Sequence, residues 1–404
     1  MPRIPEAVVT RLRASNFRSI ETVDLELGRL NVFVGQNGVG KSNIIDVLRF
    51  VRDCLTRGVG QALLDRGGMG AVRRYGAHSL PTAIELGCTF GVHQVEYGFS
   101  IESDPRTDYK ISEEHLRIGY SESDHTVVDL RLGEGQWTGD TGDGEHEPPP
   151  SAGSDLHLAR LWMLHLAETS DQEVLAVRGA FRSLSGMSFY NISPESLRAP
   201  QQTISESPFD EKGRNLAAVL RSVKKDNGPE LNDIEGALAR LVDGLRAYDI
   251  RNVGSYLVTE LLYEFADTEK PGNQAAVTRL ASDLAQESDG TLRILSILAA
   301  LYQQPSRALV VIEEPEINIH PGALGVIADL LQEASLRSQI LVTTHNPDLI
   351  EHFDPDVLRV VEKRDGVTHA GPVARDQQEA IRQMLFSTAE IMKMEGLRRD
   401  TAGV

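Results

Sequence analysis

Residues 35–42 read GQNGVGKS, with the apolar run LNVFV directly before them and SNIIDVLRFVRDCL directly after. A G-x-x-x-x-G-K-[ST] loop leaving a buried strand and entering a helix fits few architectures. The run at 30–34 suits a strand. Ile44, Ile45, Leu48, Val51, Arg52 and Leu55 then recur at helical spacing. Gly35, Gly38 and Gly40, with Asn37 between them, let the loop curl so that successive N–H groups converge on an anion of phosphate size. The start of the following helix adds a partial positive charge there. In such a loop Lys41 reaches the β- and γ-phosphates of a nucleotide, and the Ser42 hydroxyl ligates Mg²⁺.

The last third constrains the fold in the same direction. LRILSILAALYQQ (292–304) reads as a helix, ALVVIE (308–313) as a strand, ALGVIADLLQEAS (323–335) as a helix and QILVTT (339–344) as a strand. Apolar strands alternating with helices predict a parallel sheet covered on both faces, with ligands at its carboxyl edge. VVIEEPEINIHP (310–321) sets Glu313 and Glu314 side by side at such an edge. A solvated acidic exit from the strand is the plain alternative. A magnesium ion beside phosphates would relieve the repulsion, with Glu313 holding it through water and Glu314 activating the attacking water. His345 ends the next strand, followed by Asn346 as a helix cap and Pro347 at the first helical position. In QESDGTLR (286–293), Ser288 and Gly290 open a helix and are either an ordinary cap or an anion site, and Asp289 opposes the second use.

Elsewhere VVTRLRASNF, TVDLELGRLNVFV and AIELGCTFGVHQVEYGFSIES alternate as short, largely antiparallel strands. The segment from LHLARLWMLHLAETS onward reads as helical, interrupted by the turn-rich FYNISPESLRAP, and helical pieces continue from 213 to 285 without a sustained heptad. The formal charge of −18 is uneven: residues 102–147 hold 13 Asp/Glu against 4 Lys/Arg, a net −9. GQWTGDTGDGEHEPPPSAGSD (135–155) looks like a solvated loop. This balance opposes indiscriminate coating of duplex DNA but leaves room for a local basic patch. Cys54 and Cys88 stand far apart, as expected of two reduced thiols. No signal core or bilayer-length apolar run is present, so a cytoplasmic location without membrane contact is expected. The expected division is 1–200 (phosphate loop and antiparallel strands), 201–285 (helical insert) and 286–404 (signature, acidic strand end and histidine).

In this order, the phosphate loop, SDGTLR, VVIEEPE and TTH resemble the ATP-binding-cassette ATPases. NFRSIETVDLELGRLNVFVGQNGVGKSNIIDVLRF is similar to the opening of the SMC/RecF/OLD-like branch, including the compact AAA-like ATPases of prokaryotic DNA-repair and phage-defence systems. The resemblance implies an α/β ATPase head with a mixed or parallel sheet core, an antiparallel subdomain and a helical insert. It implies ATP and Mg²⁺ as cofactors and assigns Gly35 to Ser42 to Walker A. Glu313 takes the Walker B metal-side position, where the class more often has Asp, Glu314 the catalytic glutamate and His345 the switch histidine. Ser288 and Gly290 match the signature loop, Asn318 to Pro321 the D-loop, and Gln201 or Gln202 the glutamine loop. A homodimer sandwiching two ATP molecules is implied, acting on a separate DNA-directed effector or nuclease chain. SMC-type coiled-coil arms are not expected, and Asp354 and Asp356 alone cannot make a nuclease domain. Arg66, Arg73 and Arg74 with Tyr75, and Arg178 with Arg182, are the basic clusters available for DNA. The competing functions are the nucleotide-binding subunit of a transporter, or a scaffold that hardly hydrolyses.

Overall fold

The computed structural model describes residues 7–140, 156 and 172–401, apart from 78, 121–122, 134–135, 203–207, 227 and 267–276. Two compact units divide the chain: Met1–Met187 with Asp354–Val404, and Ser188–Phe353. Strands are numbered β1–β17 in chain order.

In the first unit, β1 (Val8–Phe17), β2 (Ile20–Glu26), β3 (Leu30–Val34), β4 (Thr82–Phe90), β5 (His93–Asp104), β6 (Asp108–Tyr120), β7 (Ser123–Gly133) and β8 (Gln136–Asp140) share one sheet with β16 (Leu358–Arg364) and β17 (Val367–Pro372). The order is β8-β7-β6-β5-β4-β1-β2-β17-β16-β3. From β8 to β2 every pairing is antiparallel. β17 then lies parallel to β2, and β16 parallel to β3, so the sheet is mixed. β2 buries Ile20, Val23 and Leu25, and from Val23 to Glu26 buried and exposed residues alternate as in a half-covered strand. β3 is buried throughout. Helix Lys41–Arg57 packs through Phe50, whose ring lies 5.7 Å from Phe17 and 6.3 Å from Phe99. Tyr97 extends this aromatic core to Phe181 of helix Gln172–Ser185 at 4.9 Å, edge to face.

In the second unit, β9 (Ser188–Tyr190), β14 (Leu309–Glu313) and β15 (Gln339–Thr344) run parallel in the order β15-β14-β9. All three strands are buried along their whole length. Helix Asp289–Tyr302 is buried from Thr291 to Tyr302, and helix Leu324–Ser335 carries an apolar face of Ile327, Leu330 and Leu331. The three-residue β9 was read as an irregular turn, too short to show a period. The 201–285 interval differs more. After helices Leu216–Asp226 and Pro229–Leu241 it becomes antiparallel sheet: β11 (Leu245–Val253), β12 (Tyr256–Ala266) and β13 (Val277–Asp283), with the short β10 (Gln201–Gln202) also on β12. Leu257, Thr259 and Leu261 are buried alternately, and this strand period outweighs the helix-forming Leu and Glu content of 256–266. A wholly helical insert is therefore corrected to a helix pair followed by a sheet.

Among the described residues the longest helix is Lys41–Arg57, at 17 residues, so none makes a coiled-coil arm. None is long and apolar enough to cross a membrane. In the loop expected at 135–155, Gln136–Asp140 is strand β8 instead, and residues 135 and 141–155 lie outside the described residues, as does the helix expected from Leu156 onward except for Leu156 itself. Cys54 and Cys88 are buried thiols, and burial pushes the Cys88 thiol up to about 12. The β16–β17 hairpin is followed by two short helices, Arg375–Arg382 and Thr388–Met394. Asp354 caps a 3₁₀ turn and Asp356 accepts from Arg382, so both carboxylates of the D-x-D are engaged.

Candidate functional site

The phosphate-loop residues all fall in the first unit. β3 ends beside β16, and a Cβ on Gly35 would lie 2.4 Å from the Val361 carbonyl oxygen, so only glycine keeps this register. Gly38 and Gly40 have φ of 80° and 108°, values that L side chains rarely adopt. A Cβ on Gly40 would sit 2.1 Å from Thr368 Oγ1 of β17. That hydroxyl donates to the Val39 carbonyl at 2.8 Å and lies 2.7 Å from Ser19 Oγ, which accepts from Asn43 Nδ2 at 2.6 Å. Thus the turn between β1 and β2, β17 and the first helical turn clasp the loop. Lys41 is 7% exposed and arches back, its Nζ donating to Gly35 O at 2.7 Å and Gln36 O at 3.1 Å. Asn37, Gly38 and Ser42 stay exposed on the outer rim. The sequence signalled the loop but not its clasp. Ser19 stood inside NFRSI, while nothing local marked Thr368.

The basic clusters fare differently. Arg66 is buried, bonded to Asp46 and Asp53 and stacked 5.1 Å over Phe50, so it is withdrawn as a DNA contact. Arg73 donates to Ser103 and Arg74 to Glu21. Tyr75 is 95% exposed beside them, and Arg178 and Arg182 are exposed one turn apart.

The acidic edge, the histidine and the signature-like turn fall in the second unit. β14 and β15 pair Glu313 with Thr343, and the Glu314 N–H donates to Thr343 O at 2.9 Å. Glu313 is buried, whereas Glu314 turns into the left-handed region at φ 47° and stays partly accessible. His345 Nδ1 lies 3.2 Å from Glu314 Oε1 and 3.8 Å from Glu316 Oε1. Adjacent parallel strands therefore deliver Glu314 and His345 to one point. Glu316 ties the two strand ends: its Oε1 accepts from Thr344 Oγ1 at 2.5 Å and from the His345 N–H at 3.4 Å. Its Oε2 is buried without a partner, and burial raises its pKa.

Ser288 caps helix Asp289–Tyr302, its Oγ accepting from Thr291 N at 3.1 Å. A Cβ on Gly290 would lie 2.6 Å from Asn318 O, so this turn packs tightly on the expected D-loop, where Asn318 itself has φ 62°. The Asp289 carboxylate, which opposes an anion at this turn, accepts from Arg198 Nη2 at 2.6 Å and Asn318 Nδ2 at 3.4 Å. Gln201 is corrected as a glutamine-loop candidate. It is buried, accepting from Ala217 N at 2.6 Å and donating to Gly213 O, which makes it a fixed brace of the 216–226 helix. Gln202 remains exposed.

Both halves suit a magnesium nucleotide. The loop is a cradle that a Cβ would fill, and the acidic edge offers hard oxygen donors. Among the described residues no three His, Cys, Asp or Glu converge as a self-sufficient metal cage. Magnesium bound through phosphates needs only one or two protein ligands.

Residues 30–351 match the AAA_21 family, described as "AAA domain, putative AbiEii toxin, Type IV TA system". The chain is 24% identical over 386 residues to the OLD nuclease of Thermus scotoductus, covering 93% of this chain and 66% of that protein. A 52-residue stretch is 36% identical to the DNA replication and repair protein RecF of Bacteroides fragilis, 13% of this chain and 14% of RecF. The chain thus spans less than two thirds of either relative. A solved Smc head domain with an extended coiled coil, bound to the C-terminal domain of ScpA, from Pyrococcus furiosus, superposes with a TM-score of 0.48 at 13% identity, covering 94% of this chain and 99% of that one.

Proposed function

The chain belongs to the AAA_21 family and is a P-loop ATPase domain of the SMC/RecF/OLD-like ABC type, and from that premise we propose that it binds and hydrolyses ATP to control a DNA-directed partner. In this reading the N–H groups of 35–42 and Lys41 hold the phosphates, and Lys41 exchanges the Gly35 and Gln36 carbonyls for phosphate oxygens. Ser42 and Glu313 would hold Mg²⁺, which supplies charge neutralisation at the transferring phosphoryl group. Glu314 orients the attacking water and takes up its proton, and His345 Nδ1 holds the carboxylate in place. Ser288 and Gly290 present their helix start to the nucleotide of a second copy, so that ATP closes a homodimer and hydrolysis reopens it.

The pairing of Glu314 with His345 at 3.2 Å carries the hydrolytic part, because a base and its orienting group share the carboxyl edge of two neighbouring strands. The DNA-directed part rests on the names of two relatives, an OLD nuclease and the DNA replication and repair protein RecF. The decisive test is Glu314→Gln. Turnover should fall by about 100- to 1,000-fold, while nucleotide affinity is kept and an ATP-bound dimer accumulates in light scattering. Unchanged turnover and unchanged mass would remove the assignment.

A further inference from the structure

Glu314 has an unusual support. Its backbone is left-handed, at φ 47°, a conformation that for a non-glycine residue persists only where the surroundings impose it. One constraint is the N–H bond to Thr343 O at 2.9 Å. The other is Arg293, from the second turn of helix Asp289–Tyr302. Its Nη2 donates to the Glu313 carbonyl at 2.6 Å and the Glu314 carbonyl at 2.7 Å, and its Nη1 donates to Ile192 O at 2.7 Å. Arg293 is only 4% exposed, and its hydrogen bonds go to main-chain carbonyls rather than to carboxylates.

A buried guanidinium is costly unless its surroundings use its charge. Burial lowers the Arg293 pKa, and the nearby Glu316, Glu314 and Glu313 charges oppose that shift. The fork geometry matters equally. Nη2 holds two consecutive carbonyls while Nη1, fixed in the same plane, is anchored on Ile192 O, so the rigid guanidinium fixes both peptides against a third point, a span that a single ammonium nitrogen cannot cover. Arg293 also lies five residues after Ser288, so on one rigid helix the same element that opens at the signature-like turn grips the Glu314 peptide.

We infer that Arg293 is a positioning residue for hydrolysis: it sets the direction of the Glu314 carboxylate by clamping the 313–314 peptides, and so makes that direction follow the 289–302 helix. The inference rests on Glu314 being the base, and it adds a residue that acts through the backbone of Glu313 and Glu314. The clamp belongs wholly to the second unit, whereas the phosphate loop lies in the first. The substitution Arg293→Lys keeps the charge and loses the fork, while Arg293→Gln loses both.

In steady-state ATPase assays kcat should drop by about tenfold for Arg293→Lys and about 100-fold for Arg293→Gln, the scale of a small misplacement of a catalytic group. KM and the affinity for a fluorescent ATP analogue should stay within about threefold. A folded Arg293→Gln with wild-type kcat overturns the inference, as does a parallel loss of kcat, nucleotide affinity and melting temperature. Hydrogen exchange on the unmodified protein serves where a variant does not fold. The 310–316 peptide should be among the slowest to exchange, and exchange at the rate of exposed loops would exclude a clamp. A wild-type protein with no ATPase activity but a protected 310–316 peptide would instead sink the hydrolytic reading and leave the clamp standing.

Discussion

The phosphate loop and the acidic strand end solve the same problem, holding backbone in a conformation most residues refuse, by opposite means. At Gly38 and Gly40 the positive φ is intrinsic to the residue, and the neighbours only close around it. At Glu314 the residue resists its own conformation, and Thr343 and Arg293 impose it. The first arrangement is local and permissive, the second long-range and enforced. A loop that must admit a large charged ligand gains from yielding backbone, while a carboxylate that must aim at one water gains from a rigid one.

Three substitutions would break or sharpen this contrast. The largest effect is expected from Gly40→Ala, which combines a left-handed strain with a methyl group 2.1 Å from Thr368 Oγ1. It should cost about 2–4 kcal/mol and abolish the ATP-induced thermal shift. If the shift survives, the loop is less dependent on glycine than its geometry indicates. Thr368→Val keeps the shape of the clasp but removes its hydrogen bonds to Val39 O and Ser19. A loss of about 1–1.5 kcal/mol in urea unfolding is expected, with nucleotide affinity weakened several-fold. No change in affinity would mean that the glycines alone shape the loop. Glu316→Gln is the mildest. The folded carboxyl has a raised pKa, so its ionisation is penalised in the fold, and stability falls as pH rises from the unfolded value of about 4.3 through the raised folded one. The amide keeps the acceptor for Thr344 and removes that pH-dependent component. Melting curves at pH 5 and pH 8 should therefore lie closer together in the variant than in the wild type.

What could be read from the chain follows the same division. GQNGVGKS announced its own conformation because glycine spacing is a local signal, and LNVFV and ALVVIE announced strands by their largely apolar runs. The antiparallel pairing of β4 and β5 was visible in alternation. Arg293 stands within SDGTLR yet gives no local sign of its task, since its acceptors lie 20, 21 and 101 residues away. Thr368 was hidden for the same reason, 329 residues from the carbonyl it holds. The sheet at 245–283 was missed on different grounds. YLVTELLYEFA carries Leu and Glu, which favour a helix, beside Tyr, Val, Thr and Phe, which favour a strand, and pairing with both neighbours decided between them. Arg66 shows the converse error, a surface reading of a residue whose two carboxylate partners sit on the helix after the phosphate loop.

The clasp behind Gly40 has a practical consequence for anyone trimming this protein. The family match stops at residue 351, yet the threonine that pins the Val39 carbonyl stands at 368, and the carbonyl that excludes a side chain at position 35 stands at 361. A fragment cut at the boundary of the recognised domain would keep every signature residue of the loop and lose the hairpin that shapes it, so it would misreport as nucleotide-blind a protein whose motif is intact.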